Sequence, residues 1–80
     1  MFYVYILRTS ANTLYIGQTS NLDRRLKQHQ SKTHKSAKYL RYFPSFVLVY
    51  REEYPTRSEA MKREWELKQW TRDRKEALLK

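Results

Sequence analysis

Glu64 is an acidic residue at a position where the sequence pattern predicts an apolar helix face. The surrounding segment, 56–69, has the periodicity of an amphipathic helix. At about 100° per residue, Glu64 lies about 40° from Ala60 and about 60° from Leu67. A carboxylate on that face needs a cation or a hydrogen-bond donor, because the loss of water is costly without one.

Two chemical interpretations of Glu64 stay open from the residues alone. The first is a structural ion pair with Arg25 or Lys68. The second is a ligand of Mg²⁺, an ion that keeps several waters and often uses only one or two carboxylates together with a substrate phosphate.

Arg25 and His29 form a second group that could do chemistry. They are four residues apart on a predicted helix and lie on the side that carries Leu22 and Leu26. An arginine can bind two phosphate oxygens at once, and a histidine can donate or accept a proton near neutral pH. The pair therefore suits phosphodiester cleavage, while the plainer interpretation is a salt-bridged arginine and a core-edge histidine bonded to a carbonyl.

Tyr5 and Tyr15 lie on two predicted strands of a hairpin. They would sit opposite one another on one sheet face if the loop gives an odd offset. Strand tyrosines mostly serve packing, but a buried phenol needs a hydrogen-bond partner, and two phenols beside Arg25 could orient water. Gly17, the only glycine, ends the second strand and allows close approach of backbone or ligand.

Other chemistries lack their residues. The chain has no cysteine, which excludes a thiol nucleophile, disulfides and cysteine-ligated metal centres. It has no glycine-rich phosphate loop, no HExxH and no Gly-x-Ser-x-Gly, and its two histidines cannot form a histidine cage. Hydrolysis of phosphate esters by positioned groups is what remains.

The positive charge is concentrated in one stretch. The chain has 17 Lys and Arg against 8 acids, a net charge of 17 − 8 = +9, and residues 24–50 carry no acid at all. The basic residues of this stretch are Arg24, Arg25, Lys27, Lys32, Lys35, Lys38 and Arg41. They predict contact with a polyanion, nucleic acid first, with Tyr39, Tyr42 and Phe43 as possible stacking partners. The alternative is that the charges keep a small protein soluble and the aromatics pin a loop.

The elements that must position these residues begin with a hairpin. Residues 2–8 and 13–18 are its strands, and the first is apolar on both faces, which predicts a central position in the sheet. Ser20, with Asp23 in the first turn, predicts the start of a helix that continues to about Gln30.

The later elements complete a small α+β domain. Capping patterns at Thr56 with Glu59, and at Thr71 with Arg74, mark two helix starts. The predicted elements are a short helix around 36–42 closed by Pro44, a strand at 46–53, a helix from Thr56 to about Gln69, and a last helix to Leu78. This order predicts a single domain, 1–80, with a mainly antiparallel three-stranded sheet flanked by helices.

The size of the chain limits the core and the location. A domain of 80 residues buries only about 60% of its unfolded surface, so we expect both Trp65 and Trp70 in the core. The apolar run 2–7 is too short for a signal-peptide core or a membrane span, and 30–38 is too polar for a membrane-surface helix. We therefore expect no membrane role and a cytoplasmic location.

Four pieces of the sequence occur in an order and spacing that resembles the GIY-YIG nuclease domain. They are YVYIL at 3–7, LYIGQT at 14–19, NLDRRLKQH at 21–29 and EAMKRE at 59–64. Nearly the whole chain is covered, and it is most similar to the short stand-alone bacterial members. The resemblance implies cleavage of phosphodiester bonds in DNA with one divalent ion, Mg²⁺ or Mn²⁺, in a family that includes repair nucleases, homing endonucleases and resolvases.

The resemblance also implies roles for the strand residues. Tyr5 matches the tyrosine that ends the first half of the family motif. Tyr15 and Gly17 match the tyrosine and the glycine of the second half. The glycine that opens the first half is replaced here by Tyr3, a change that we expect to leave the strand intact.

The helix residues match in the same way. Arg25 falls at the catalytic arginine, His29 at a histidine or tyrosine one turn later, and Glu64 at the metal-binding glutamate. The implied reaction has Glu64 holding the ion and Arg25 stabilising charge as the bond breaks. Tyr5, Tyr15 or His29 would position or deprotonate the attacking water, and the choice among them stays open.

The sequence thus predicts a metal-dependent DNA endonuclease that selects structure over sequence, with DNA favoured over RNA. Larger family members carry a late asparagine, whereas this chain has none after Asn21, so its substrate grip is expected to differ. The expected substrate contacts are Gly17, Arg24, Lys32, Lys35, Lys38 and Arg41. The alternative is a nucleic-acid-binding module of the same fold with weak or no activity, acting with a partner protein that presents the substrate.

Overall fold

The structure is a computed structural model that describes residues 1–31, 40 and 43–80. Its elements in chain order are β1 (Phe2–Thr9), β2 (Leu14–Thr19), α1 (Leu22–Ser31), β3 (Phe46–Tyr54), α2 (Arg57–Gln69) and α3 (Arg72–Leu78). The α+β class is confirmed. The predicted helix around 36–42 lies outside the described residues apart from Leu40.

The three strands form one antiparallel sheet in the order β2-β1-β3, so β1 is central as predicted. Its residues 4–7 are at most 1% exposed because helices cover both faces. The pairing of β1 with β3 is interrupted once. Ile6 pairs with Tyr50 while the next residue, Leu7, pairs with Leu48, which leaves Val49 as the extra residue of a bulge.

The two sheet faces carry different clusters. On one face Val4, Ile6 and Ile16 pack against Ala60 and Leu67 of α2. On the other face lie Tyr5, Leu7, Leu22 and Leu40. Successive strand residues point to opposite faces, so β1 serves both clusters.

Side chains cap each helix at its start. The amide of Arg24 donates to Asn21 Oδ1 at 3.0 Å, so Asn21 caps α1 and the predicted Ser20 does not. Asn and Ser are similarly good caps, and the pattern could not separate two neighbours. The predicted caps of the later helices are confirmed, since Thr56 accepts from the Glu59 amide and Thr71 from the Arg74 amide.

Two ion-pair clusters fasten the helices to the sheet. Arg63 of α2 donates to both oxygens of Glu52 on β3, at 2.9 and 3.1 Å. Arg8 of β1 donates to both oxygens of Glu76 on α3, at 2.9 and 2.6 Å, and Arg72 adds a third bond to Glu76 at 3.1 Å. The Arg8 guanidinium lowers the pKa of Glu76 to about 2.

The prediction that both tryptophans are in the core is wrong for Trp65, which is 65% exposed. The buried residues of α2 are only Ala60 and Leu67, and Trp65 lies well away from that narrow stripe. Trp70 packs against the core as predicted, with the Arg74 guanidinium 3.9 Å from its ring centroid. In the described part of the chain, no helix is long and apolar enough to cross a membrane.

Candidate active site

Tyr5 and Gly17 face one another across the β1–β2 pair. A Cβ atom placed on Gly17 would lie 2.5 Å from the phenol oxygen of Tyr5 and 2.6 Å from its Cζ. A side chain at position 17 would force the Tyr5 ring to move, because the phenol end of the ring lies over the Gly17 backbone. The group that approaches Gly17 is a side-chain ring, whereas the sequence predicts a backbone or a ligand there.

Tyr15 lies on the same sheet face as Tyr5, because its partner Leu7 is two residues from Tyr5 along β1. The two are diagonal neighbours and not directly opposite, because Tyr15 pairs with Leu7 in the register. Their ring centroids are 6.4 Å apart with an interplanar angle of 43°. The hairpin thus brings two phenols to one place, within the range of aromatic contact.

His29 reaches the same place from α1. It is fully buried, and its Nε2 is 2.9 Å from the Tyr5 phenol oxygen, with which it shares a hydrogen bond. Its ring also meets Tyr15 edge-on at a centroid distance of 5.7 Å and Phe46 at 6.2 Å. The partner that the structure shows at His29 Nε2 is a phenol of β1, and the interpretation of His29 as bonded to a carbonyl stays a prediction.

Burial sets the protonation of this pair. Burial, followed by the nearby Arg25 charge, lowers the pKa of His29 to about 4, so the imidazole is neutral at pH 7. Burial also raises the pKa of Tyr5 well above its usual value, and Tyr15 adds to that rise. A hydrogen bond and the charge of Arg25 act in the opposite direction.

Arg25 brings a positive charge to the site. It is half-buried on α1, next to Tyr5 and His29, and its guanidinium donates to Gln28 Oε1 at 3.0 Å. This placement matches the inward direction that the sequence predicts. The guanidinium is close enough to act on both titrating groups of the phenol–imidazole pair.

Glu64 comes to the site from α2. Its charge adds to the rise in the Tyr5 pKa, as the smallest of the influences on that group. Its Oε2 is 3.0 Å from Lys68 Nζ, so of the two predicted ion-pair partners Lys68 is the one observed. Its side chain is 22% exposed. A solvent-reachable carboxylate with one replaceable lysine partner fits a hydrated divalent ion.

The metal donors near Glu64 are sparse. Within residues 1–31, 40 and 43–80, no group of three or more His, Cys, Asp or Glu residues is arranged to hold a metal. An ion at Glu64 would therefore depend on water and substrate oxygens for its remaining ligands, as Mg²⁺ often does.

The predicted substrate contacts divide into two sets. Arg24 is exposed on α1. Lys32, Lys35, Lys38 and Arg41 lie outside the described residues, so their role stays a prediction. The open concavity beside Arg24 has a volume of about 530 Å³ and is lined by Asn21, Asp23, Arg24, Lys27, Gln28 and Ser31. A smaller concavity of about 220 Å³ shares three of these residues and extends to Arg25.

Sequence reasoning missed two basic residues around the site. Arg51 lies opposite Tyr5 on β3 and is exposed, and only the strand register could have revealed it. Lys75 lines a cavity together with Lys68, which the sequence singles out only as an ion-pair partner. The spacing of seven residues between the lysines was a signal, but it crosses a helix boundary at Trp70 that breaks the periodicity.

In this domain a tyrosine hairpin and a helix with arginine and histidine meet at one place, and a later helix carries the glutamate. The sequence model of the GIY-YIG catalytic-domain family matches residues 1–77. The chain therefore belongs to this family of nuclease domains. The family predicted from the sequence is confirmed.

Short bacterial proteins are similar to this chain over most of their length. The UPF0213 protein SH2523 of Staphylococcus haemolyticus is 42% identical over 73 residues, which cover 91% of this chain and 87% of that protein. The UPF0213 protein DP2720 of Desulfotalea psychrophila is 44% identical over 79 residues, covering 99% and 71%. The solution NMR structure of the UPF0213 protein BH0048 from Bacillus halodurans has a TM-score of 0.63 and 42% identity, covering 99% and 83%.

Proposed function

We propose that this protein is a metal-dependent endonuclease that hydrolyses phosphodiester bonds in DNA. The observation that carries the proposal is the contact of Tyr5, Tyr15 and His29 with one another beside Arg25, with the charge of Glu64 acting on the Tyr5 pKa. These groups come from four separate elements, and packing alone does not require three polar rings and a guanidinium in one place.

Glu64 would hold the divalent ion, Mg²⁺ or Mn²⁺. When bound there, such an ion neutralises charge on the phosphate and on the leaving oxygen. Arg25 contributes from the other side, because a guanidinium can bind two phosphate oxygens and stabilise the charge that develops in the transition state. The phosphate would sit between these two groups.

The Tyr5–His29 pair would take the proton from the attacking water. A neutral His29 can accept the phenol proton at Nε2 while the Tyr5 oxygen accepts the proton of water. The phosphate is then attacked by hydroxide, and the bond to the leaving oxygen breaks. Tyr5 is protonated at pH 7 because burial raises its pKa, so it can act on the water only if its own proton passes to His29 Nε2.

The open concavities along α1 support nucleic acid as the substrate. The exposed Arg24 and Lys27 line them, and the smaller one leads to Arg25. Such contacts bind the phosphate backbone and carry no base information. We therefore propose selection by DNA shape, with flexible junctions and flaps favoured.

The test is a cleavage assay with purified protein on supercoiled plasmid and on branched, flapped and linear DNA, with Mn²⁺ or with EDTA. Wild-type protein should nick in Mn²⁺ only, and Glu64→Gln should abolish nicking while leaving DNA affinity within a few-fold. Glu66→Gln is the matched control, since Glu66 lies on the same helix and pairs with Arg63 instead. Nicking by clean Glu64→Gln protein would remove Glu64 from the mechanism.

A second candidate function is a nucleic-acid-binding module without catalysis. It is favoured by the Lys68–Glu64 ion pair and by the absence, among the described residues, of a group of three or more His, Cys, Asp or Glu residues that could hold a metal. Such a module would bind DNA with a normal salt dependence and show no nicking of any substrate, with a partner protein supplying the chemistry.

A further inference from the structure

A cavity at the outer edge of β2 carries two amines. It has a volume of about 370 Å³, is open to solvent, and is lined by Leu14, Tyr15, Ile16, Lys68 and Lys75. Two lysines and a tyrosine beside the apolar Leu14 and Ile16 are suited to one anion. Tyr15 belongs both to this cavity and to the phenol cluster, so the cavity adjoins the candidate active site.

Lys68 pairs with Glu64 and is therefore only partly available to bind an anion. Its Nζ is 3.0 Å from Glu64 Oε2, and the lysine side chain is 52% exposed. An ion pair of this i,i+4 spacing with its lysine half in solvent is weak. Lys68 can therefore leave the carboxylate at little cost when another cation takes its place.

Lys75 differs from Lys68 in this respect. Within the part of the chain that the structure describes, no carboxylate lies within ion-pair distance of its ammonium. The neighbouring acid Glu76 is bound by Arg8 and Arg72. Lys75 can thus bind an anion whatever the charge state of Glu64, whereas Lys68 can do so only after Glu64 is neutralised.

We propose that this cavity is a binding site for a second backbone phosphate of the nucleic-acid strand, and that Lys68 joins it only when Glu64 is neutralised. The inference rests on the proposed function, in which a divalent ion occupies Glu64. The ion and the second phosphate then support each other's binding, because the arrival of the ion frees the lysine. The strand would pass from the α1 concavities across Arg25 to Lys68 and Lys75.

The test is a double-mutant cycle on DNA binding in EDTA, where no cleavage occurs. A fluorescein-labelled duplex is titrated with wild type, Glu64→Gln, Lys68→Gln and the double variant at several salt concentrations. Lys68→Gln should change little in the wild-type background. In the Glu64→Gln background it should weaken binding by about three- to fivefold and lower the salt slope by about 1.

Two lysine variants complete the design. Lys75→Gln should weaken binding similarly in both backgrounds, because Lys75 has no carboxylate to release. Lys62→Gln is the matched control, an exposed lysine of α2 that lines a different cavity with Glu59, and it should not couple to position 64. An equal cost of Lys68→Gln in both backgrounds would overturn the proposal, since it would show a lysine that Glu64 does not restrain.

Two further arms separate the sources of failure. Inorganic phosphate is added as a competitor. If it displaces the duplex when its concentration equals that of the duplex phosphates, the site binds free phosphate and the proposal of a strand phosphate is overturned. Mn²⁺ binding is measured by calorimetry, and Lys68→Gln should tighten it several-fold because the competing ammonium is gone. No Mn²⁺ binding at position 64, with the DNA coupling intact, would defeat the metal site of the proposed function and leave the phosphate site standing.

Discussion

The phenol of Tyr5 lies against the backbone of Gly17, at 2.5 Å from where a Cβ atom would be. The glycine is thus the floor on which the tyrosine rests, and the tyrosine in turn shares its hydrogen bond with His29. A methyl group on the floor would displace the ring, because the contact is with a ring held between strand and helix.

The first prediction concerns this floor. Gly17→Ala should destabilise the fold by about 1–3 kcal/mol, the usual cost of adding a methylene to a packed site, and should move Tyr5 away from His29. Urea unfolding measures the first effect, and the NMR shifts of the His29 ring measure the second. Gln18→Ala, at the next position of β2, is the control and should cost less than half as much. Equal losses would contradict the contact.

The second prediction concerns pH. The folded pKa of His29, about 4, lies below the ordinary value of 6.5, so the unfolded chain binds more protons between these values. Stability from this group is complete above pH 6.5 and is lost as the pH falls toward 4, by about 3 kcal/mol in all. Glu76, with a pKa of about 2, acts only below about 4.5, so the interval from 5 to 6.5 reports His29.

The measurement is urea unfolding at several pH values in that interval. Wild type should lose stability steadily as the pH falls, and His29→Gln should lose much of that slope. His34→Gln, a change of the other histidine, serves as the control. An unchanged slope in His29→Gln would show that another group causes the loss.

The third prediction separates catalysis from binding at Arg25. Arg25→Lys keeps the charge but removes the bidentate geometry, so the cleavage rate should fall more than tenfold while DNA affinity changes less than threefold. Arg24→Lys, on the exposed side of α1, should leave the rate close to that of wild type. Single-turnover cleavage and a binding titration give the two numbers, and equal losses at Arg25 would make it only a phosphate anchor.

The fourth prediction compares the two tryptophans. Trp65→Gln should change stability by less than about 0.5 kcal/mol, because the side chain is 65% exposed. Trp70→Gln should cost about 2 kcal/mol or more, since the ring packs on the core and stacks with Arg74. Thermal unfolding of both variants checks the difference. A large loss at Trp65 would contradict the observed placement.

Much of the fold could be predicted from local signals. The strands and helices of the described residues follow hydrophobic period and capping, and the doubly apolar β1 was correctly placed at the centre. The failures occur where two local choices are nearly equal in free energy. Ser20 and Asn21 are equally good caps, so the sequence pattern cannot choose between them. Trp65 and Trp70 are equally apolar, so the sequence cannot tell which of them the contact between α2 and the sheet buries.

The candidate site divides in the same way. The helical position of Glu64 and the pairing of Arg25 with His29 follow from spacing within one helix. The diagonal relation of Tyr5 and Tyr15 depends on the strand register, which the sequence does not fix. Lys75 was missed because its neighbours in space, Tyr15 and Lys68, lie on other elements.

The ion pair between Arg8 and Glu76 bears on which helix should detach from the sheet first. α3 contributes no fully buried residue, so its attachment depends on the partly buried Leu78 and on this partly exposed ion pair. Concentrated salt screens such a pair and leaves apolar contacts intact. At high salt concentration α3 should therefore detach from the hairpin while α2 stays packed on the sheet. Lys75, which α3 carries, would then leave its position before the rest of the domain unfolds.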